Sequence, residues 1–269
     1  MVSPTVPVTG LRRLALLVGA TLLLLLTAGT APALAAPDAY VALGDSYSSG
    51  NGARSTNLSL GCGRNTYAYP YLVAAQRPNT TLTFAACQGA VTSDVVESQV
   101  GALSAATKYV TITIGGNDIG FANLVISCTL GDCTSTIASS NAQIAGQLPA
   151  KLDAAYAAIR SRAPNATVAV LGYPRPFANR TCAAAPGATL TEQPALNALV
   201  DNLNGVIRAR ASAAGFRYGD PTPYWTGHDV CSTAPYTNGW VVVPPTDSYH
   251  PTRAGYANGY APLVRSIIG

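Results

Sequence analysis

Residues 40–48 read Tyr-Val-Ala-Leu-Gly-Asp-Ser-Tyr-Ser, an apolar run followed at once by a glycine and a serine. A short, continuously apolar run is typical of a strand buried on both faces of a parallel sheet. Such a strand would place Ser46 just beyond its carboxyl end, where open α/β sheets bind their ligands. This stretch therefore predicts both a fold class and a serine that is well placed to act as a nucleophile.

Similar apolar runs recur along the chain and alternate with helical patterns. Strands are predicted at 39–43, 81–86, 109–114 and 167–171, with a weaker one at 216–218. Helices are predicted at 66–77, 148–162, 194–214 and 252–268. Since alternating strands and helices favour right-handed crossovers, we expect an α/β fold, a three-layer α/β/α sandwich around a parallel sheet.

The N-terminal residues have the pattern of a secretory signal peptide. Arg12 and Arg13 precede an apolar run at 14–26, and small residues follow as far as Ala36. The run is shorter than the ~20 apolar residues that a membrane-spanning helix needs. We therefore expect residues 1–36 to be removed and residues 37–269 to form a single domain of a secreted, extracellular protein with no stable membrane span.

The charge of the chain gives no reason to expect a nucleic-acid partner. The sequence has 16 basic and 12 acidic residues, and two of the basic ones belong to the predicted signal peptide. No run of basic residues stands out in the remainder, so we expect no binding to nucleic acid.

The six cysteines all lie within 37–269, and an even number in an exported chain predicts three disulfides. Many connectivities remain open, of which we favour sequential pairing. The pairs are then Cys62–Cys87, Cys128–Cys133 and Cys182–Cys231. A zinc site is the alternative. No Cys-x-x-Cys pair occurs and the chain has only two histidines, so we expect no metal.

A serine hydroxyl needs a base to take its proton before it becomes a good nucleophile. The two histidines of the chain are His228 and His250. His250 follows Asp247 by three residues, a spacing that lets a carboxylate bond Nδ1–H and leaves Nε2 free for a serine. We predict Ser46 as nucleophile, His250 as base and Asp247 as the residue that orients it. The alternative is a histidine that only precedes the terminal helix.

Donors for a developing oxyanion are also present after predicted strands. The sequence Gly115-Gly116-Asn117-Asp118 follows one strand, and Asn117 offers a side-chain amide. Gly89 follows another strand, so its backbone N–H and that of Ser46 are further candidates. The alternative interpretation is a pair of ordinary turns, with Asp118 as a helix cap.

The order of these residues separates the chain from two common serine-hydrolase plans. In chymotrypsin-like proteases the histidine and the aspartate precede the serine, whereas both histidines follow it here. The Gly-x-Ser-x-Gly elbow of α/β-hydrolases is absent from the sequence. Both plans are therefore disfavoured.

The four blocks, taken in order, resemble those of the SGNH (GDSL) hydrolase family. They are Gly44-Asp45-Ser46, Gly89, Gly115-x-Asn117-Asp118 and Asp247-x-x-His250. Residues 44–50 and the six-cysteine layout further resemble the secreted actinobacterial (Streptomyces-type) lipases and esterases within it. The resemblance covers essentially the whole of 37–269.

The resemblance implies a flavodoxin-like α/β/α fold with Ser46 as nucleophile and His250 as base. It implies an oxyanion hole made by the Ser46 N–H, the Gly89 N–H and Asn117. Asp247 matches the third triad member, although some secreted relatives orient the histidine with a backbone carbonyl instead. We interpret Asp45 as structural, holding the turn around the serine.

The expected activity is that of a monomeric serine carboxylester hydrolase without a cofactor, acting on acyl esters of glycerol or related lipids. Its partner would be a lipid or a small ester. The alternatives are a carbohydrate acetyl esterase, a phospholipase, or a non-catalytic binding protein on the same fold. Six apolar residues near the motifs are candidates either for an acyl site or for ordinary packing: Tyr47, Leu58, Leu60, Phe121, Leu124 and Phe177.

Overall fold

Five parallel strands form one sheet in the structure, which is a computed structural model that describes residues 1–5 and 36–269. The strands are β1 (Asp38–Gly44), β2 (Thr80–Phe84), β3 (Thr107–Thr113), β4 (Thr167–Leu171) and β5 (Arg217–Gly219). They lie in the order β2-β1-β3-β4-β5, and all neighbours pair in parallel. This is the flavodoxin-like strand order, and it confirms the predicted fold class.

Helices cover both faces of the sheet. They are α1 (Ser46–Ser49), α2 (Tyr69–Ala75), α3 (Thr92–Glu97), α4 (Phe121–Leu130), α5 (Thr134–Gly146), α6 (Leu148–Arg162), α7 (Glu192–Ala213), α8 (Thr222–Trp225) and α9 (Ala261–Ile268). Helix α6 packs against α3 and α7 in one layer, while α9 packs against α2 in the other. The three predicted layers are therefore present.

Five helices were not predicted from the sequence: the one-turn helices α1 and α8, and the longer α3, α4 and α5. Helix α5 is rich in Ser, Thr and Asn, which have only modest helix propensity, and its helical state depends on packing against α6 and α7. Helix α4 carries apolar residues on most of its surface, so no helical periodicity is visible in its sequence. The predicted helix at 252–268 has a π-helical turn, Gly255–Tyr260, before α9 begins.

The buried core lies between the sheet and the two helical layers. Strands β1 and β3 are central, and residues such as Leu43 and Ile112 have no exposed surface. At the end of β1, Gly44 has φ of +115°, and a Cβ there would lie 2.2 Å from the Thr113 carbonyl oxygen. Glycine is therefore required where β1 turns into α1, and this turn sets the position of the following serine.

All six cysteines are paired as Cys62–Cys87, Cys128–Cys133 and Cys182–Cys231, which confirms the sequential pairing. The first bridge ties the loop before α2 to the segment that follows β2. The second joins the end of α4 to the start of α5. The third connects the long loop after β4 with the long loop after α8, so it restrains two segments that have little regular structure.

The predicted signal peptide lies outside the described residues, apart from 1–5 and 36, and it stays a prediction together with the domain boundary. Residues Pro37–Gly269 form one compact unit. Within the described part of the chain, no helix is both long enough and apolar enough to cross a bilayer.

Candidate active site

Ser46 and His250 meet at the carboxyl end of the sheet. Ser46 is the first residue of α1, directly after β1, and its Oγ lies 2.6 Å from His250 Nε2. His250 Nδ1 lies 2.9 Å from the carbonyl oxygen of Ser248. Since a carbonyl oxygen only accepts hydrogen bonds, Nδ1 carries the proton and Nε2 is free to accept the proton of the serine hydroxyl.

The surroundings of His250 keep its imidazole neutral. Burial lowers the pKa of His250 to about 4, and the hydrogen bond to Ser248 opposes this shift only in part. The rings of Tyr47 and Phe121 pack against it with centroids 5.0 and 5.4 Å away. A neutral imidazole at physiological pH is the form that can act as a base.

The structure has no hydrogen bond between Asp247 and His250, and a backbone carbonyl takes that place, which is the alternative left open by the sequence. Asp247 Oδ1 accepts the Gly52 N–H at 2.8 Å, and its buried Oδ2 has no hydrogen-bond partner among the described residues. Asp247 ends a 3₁₀ turn, and Tyr249 has a left-handed φ of +56°. The backbone therefore turns sharply between Asp247 and His250, and this turn brings the Ser248 carbonyl to Nδ1 in place of the carboxylate.

Asp45 holds the turn that carries the serine, in agreement with the structural interpretation from the sequence. Its Oδ1 accepts from the Tyr47 N–H at 3.0 Å and from Thr113 Oγ1 at 2.7 Å. Its Oδ2 accepts from the Tyr173 hydroxyl at 2.5 Å. Although these bonds favour the carboxylate, burial dominates and raises the pKa of Asp45 to about 6.

Sequence reasoning missed the hydrogen bonds of three side chains, Tyr173, Gln99 and Tyr47, that support this turn. The Tyr173 hydroxyl accepts from the Gly116 N–H at 3.1 Å, so it links the ends of β1 and β3 through Asp45. Gln99 pairs with the backbone N–H and carbonyl of Gly44. The Tyr47 hydroxyl donates to the Tyr249 carbonyl at 2.7 Å. Tyr173 follows a predicted strand, which is a usable signal, whereas nothing in the sequence distinguishes Gln99.

The three predicted oxyanion donors border the same open cleft as His250. Ser46, Gly89 and Asn117 all line it. No protein group among residues 1–5 and 36–269 accepts the backbone N–H of Ser46 or of Gly89. Asn117 Nδ2 donates one hydrogen to the Ala90 carbonyl at 2.9 Å, which orients the amide and leaves its second hydrogen available.

Asp118 has a different role from its three neighbours. Its carboxylate accepts from the Thr92 backbone N–H at 3.0 Å and from Thr92 Oγ1 at 2.7 Å. It therefore binds the start of α3, a helix distant in sequence. Asp118 therefore caps a helix, as the alternative interpretation held, but that helix is α3 and not the one that follows Asp118 in the sequence.

An apolar cavity adjoins the open cleft at Ser46. Residues of α4, α7 and the loop after β4 line it. Of the six apolar candidates, four line this cavity: Tyr47, Phe121, Leu124 and Phe177. Leu58 and Leu60 do not, since they are exposed on the loop before α2.

The second histidine lies outside this site. His228 stacks on Tyr236 with ring centroids 3.8 Å apart, and its Nδ1 lies 2.8 Å from the Ala234 carbonyl oxygen. In the described part of the chain, no cluster of three or more His, Cys, Asp or Glu side chains is arranged to hold a metal ion.

The chemistry available to this arrangement follows from its geometry. A neutral imidazole at hydrogen-bond distance can take the serine proton as Oγ attacks a carbonyl carbon. Backbone and amide N–H groups in the same cleft can stabilise the negative oxygen that forms. The site is therefore suited to acyl transfer through a serine.

Comparisons with known proteins agree with this assessment. Residues 42–257 match the model of the GDSL-like Lipase/Acylhydrolase family. The chain is 47% identical to Lipase 1 of Streptomyces coelicolor over 237 residues, covering 86% of this chain and 87% of that protein.

Two crystal structures are similar over most of the chain. The extracellular lipase from Streptomyces rimosus has a TM-score of 0.82 and 45% identity, with 86% of this chain and 99% of that chain covered. Phospholipase A1 from Streptomyces albidoflavus NA297 has a TM-score of 0.82 and 43% identity, with 86% and 100% covered.

Proposed function

We propose, from the premise that this chain belongs to the GDSL-like lipase/acylhydrolase family, that it is a secreted serine ester hydrolase acting on acyl esters of glycerol or related lipids. The observation that carries the proposal is the 2.6 Å contact between Ser46 Oγ and the neutral, Nδ1-anchored His250. Lipase names among relatives of 46–47% identity support it.

In the proposed reaction, Ser46 Oγ attacks the acyl carbonyl carbon while His250 Nε2 takes the hydroxyl proton. The N–H groups of Ser46, Gly89 and Asn117 stabilise the oxyanion. The imidazolium then returns the proton to the leaving alcohol oxygen as the ester C–O bond breaks. Water attacks the resulting acyl-enzyme with His250 again as base, which releases the acid and restores Ser46.

The imidazolium formed in this cycle is stabilised by the Ser248 carbonyl. Its oxygen accepts from Nδ1 and carries a partial negative charge that favours the protonated ring. Asp247 acts at one remove, because its bond to Gly52 N–H fixes the histidine loop against the segment that follows α1. We therefore assign Asp247 a positioning role.

The apolar cavity beside Ser46 supports an acyl chain longer than acetyl. Its lining combines aromatic and aliphatic side chains such as Phe121, Leu124 and Phe177. Burying each methylene of an acyl chain there contributes about 0.8 kcal/mol. An acetyl ester would leave this cavity unused, so the carbohydrate acetyl esterase remains the weaker alternative.

Phospholipase activity is the second candidate. It is favoured by the structural similarity to the enzyme of Streptomyces albidoflavus NA297, which is named phospholipase A1. The open cleft offers neutral polar groups, Asn51 and Gln88, beside Ser46. Such a cleft accommodates either an uncharged glyceride or a zwitterionic head group.

The proposal includes export of a monomeric enzyme that needs no metal or cofactor and binds no nucleic acid. Three disulfides support an oxidising, extracellular setting, as does the extracellular relative from Streptomyces rimosus.

The proposal is tested by initial hydrolysis rates on p-nitrophenyl esters from acetyl to palmitoyl, with folded Ser46→Ala protein as control. We expect Ser46-dependent turnover with an optimum at medium or long chains. A Ser46-dependent optimum at acetyl would favour the acetyl esterase instead. Undiminished turnover by the folded Ser46→Ala protein would overturn the assignment of the nucleophile.

A further inference from the structure

Exposed apolar side chains are concentrated on three segments that border the mouth of the open cleft. Helix α4 contributes Leu130, which is 82% exposed. The loop before the histidine contributes Val242 and Val243, which are 72% and 78% exposed. The loop before α2 contributes Leu60, which is 80% exposed. Apolar residues exposed to this degree around a binding site mark an interaction surface.

Each of the three segments has a neighbouring residue that lines the cleft. In α4, Ile126 lines the cleft, and Leu130 lies four residues further along the same helix face. Pro245 and Thr246 line the cleft and are separated from the two exposed valines only by Pro244. The connection of the third segment runs through Gln88.

Gln88 lines the cleft and donates from Nε2 to the Gly61 carbonyl at 3.0 Å, while its backbone N–H bonds to Cys62. The Cys62–Cys87 disulfide fixes the same junction. Leu60 therefore projects from a loop that is anchored to the edge of the cleft.

The three segments carry no charged side chain. No Asp, Glu, Lys, Arg or His occurs at 55–63, 119–131 or 230–246. The carboxylates of Asp118, Asp229 and Asp247, which lie at ends of these segments, are buried, whereas Arg54 and Asp132 at other ends are exposed. The segments themselves therefore carry no charge into an apolar phase, and the exposed charges at their ends have opposite signs, which gives no preference for an anionic phase.

We propose that this rim, made by Leu60, Leu130, Val242 and Val243, docks the enzyme on the surface of an aggregated lipid without net charge. The inference rests on the proposed function, because an ester hydrolase of acyl lipids must take its substrate from such an aggregate. The rim lies on segments whose neighbouring residues line the cleft at Ser46, so docking would bring lipid to Ser46 without transfer through water.

Trp240 makes the proposal measurable without turnover. The chain has two tryptophans. Trp240 lines the cleft beside the exposed valines and is partly exposed, whereas Trp225 is 4% exposed and donates from Nε1 to Thr237. A blue shift of tryptophan fluorescence on addition of vesicles therefore reports the environment of Trp240.

The binding experiment uses Ser46→Ala protein and phosphatidylcholine vesicles, so that no lipid is consumed. We expect a blue shift, quenching by lipids brominated on the acyl chain, and little dependence on salt. Adding Val242→Ser/Val243→Ser should lower the partition coefficient by about tenfold or more, since two apolar side chains lose their burial in lipid. The control is Val96→Ser, an exposed valine on α3 that borders neither the cleft nor the cavity, and we expect no change from it.

The hydrolysis experiment uses the same substitutions in protein that retains Ser46. We expect the double variant to lose hydrolysis of vesicle lipid while it hydrolyses a monomeric butyrate ester at the wild-type rate. If wild-type protein did not hydrolyse the monomeric butyrate ester, the proposed function would be refuted. The vesicle-binding experiment would still show whether the rim docks on lipid.

Three outcomes would overturn the docking proposal. The first is unchanged binding by the double variant. The second is an equal loss in Val96→Ser. The third is binding confined to anionic vesicles and abolished by high salt, which would assign docking to basic side chains elsewhere on the protein.

Discussion

The turn that carries Ser46 and the loop that carries His250 are built in opposite ways. Ser46 follows a central strand, and the adjacent Asp45 accepts three hydrogen bonds, from Tyr47, Thr113 and Tyr173. His250 lies on a loop outside the sheet, and one bond from Nδ1 to the Ser248 carbonyl orients its ring. The nucleophile is therefore placed by the sheet, whereas the base is placed by loop contacts.

The two regions hold each other through a small number of bonds. The Tyr47 hydroxyl donates to the Tyr249 carbonyl, and Asp247 accepts from Gly52 N–H. Both bonds join the segment after β1 to the histidine loop. The sheet therefore fixes the position of the nucleophile, and the histidine loop packs against the segment that carries it. We expect substitutions in the serine turn to act mainly on stability and the loss of His250 to act mainly on turnover.

Removing the base is the strongest test of the loop side. We expect His250→Ala to lower kcat/KM on p-nitrophenyl esters by about 10⁴-fold or more, as loss of a base in a serine hydrolase does. The fold should persist, because the sheet holds the other half of the site, and circular dichroism checks this. A folded variant with wild-type turnover would show that another group acts as base.

Removing an oxyanion donor tests the residues at the carboxyl end of the sheet. We expect a smaller effect than that of His250→Ala. Asn117→Ala should lower kcat by about 10²–10³-fold with little change in KM, since the amide acts on charge that develops in the transition state. Steady-state kinetics on a medium-chain ester measures this. If KM rises while kcat is unchanged, Asn117 binds substrate and does not stabilise the oxyanion.

Replacing Asp45 tests how much the turn that carries Ser46 contributes to stability. Asp45→Ala leaves the buried hydroxyls of Tyr173 and Thr113 without their acceptor, so the free energy of unfolding should fall by about 2–4 kcal/mol. Urea unfolding measures the change. Asp153→Ala is the matched control, since Asp153 pairs with Arg210 at the surface and should contribute about 1 kcal/mol or less. Equal losses would mean that the Asp45 network contributes no special stability.

The fall in activity at low pH tests whether His250 is buried. Because burial lowers the pKa of His250 to about 4, the imidazole stays neutral down to that pH. Asp45 changes protonation near pH 6, so the test uses Asp45→Asn protein, in which only His250 titrates in this range. There kcat/KM should be maintained from pH 7 to about 5 and fall as pH drops through about 4. A midpoint near 6.5 in that variant, the ordinary value for histidine, would show that His250 is solvated.

The contrast between the two regions also explains what the sequence could predict. The parallel sheet and the position of Ser46 follow from apolar runs and from Gly44, because parallel strands bring their carboxyl ends to one edge. The strand order was implied only by the family resemblance. The orientation of His250 does not follow, because a three-residue spacing specifies no backbone conformation. The left-handed Tyr249 that turns the chain there has no signature in the sequence.

The same limit applies to the apolar residues around the site. Tyr47, Phe121, Leu124 and Phe177 were identified from their proximity to motifs, and they line the cavity. Leu58 and Leu60 were identified on the same ground and are exposed instead. Sequence proximity indicates that a residue is near the site, and only the path of the loop decides which way it faces.

The most direct test of the account is the turnover of Asp247→Asn protein. Asparagine keeps the acceptor for Gly52 N–H, and the Ser248 carbonyl still orients His250. We therefore predict a kcat within about tenfold of wild type, well short of the roughly 10⁴-fold loss that follows when a triad aspartate is replaced by asparagine. A loss of that larger size in a folded protein would contradict the account and restore Asp247 as the residue that orients the base.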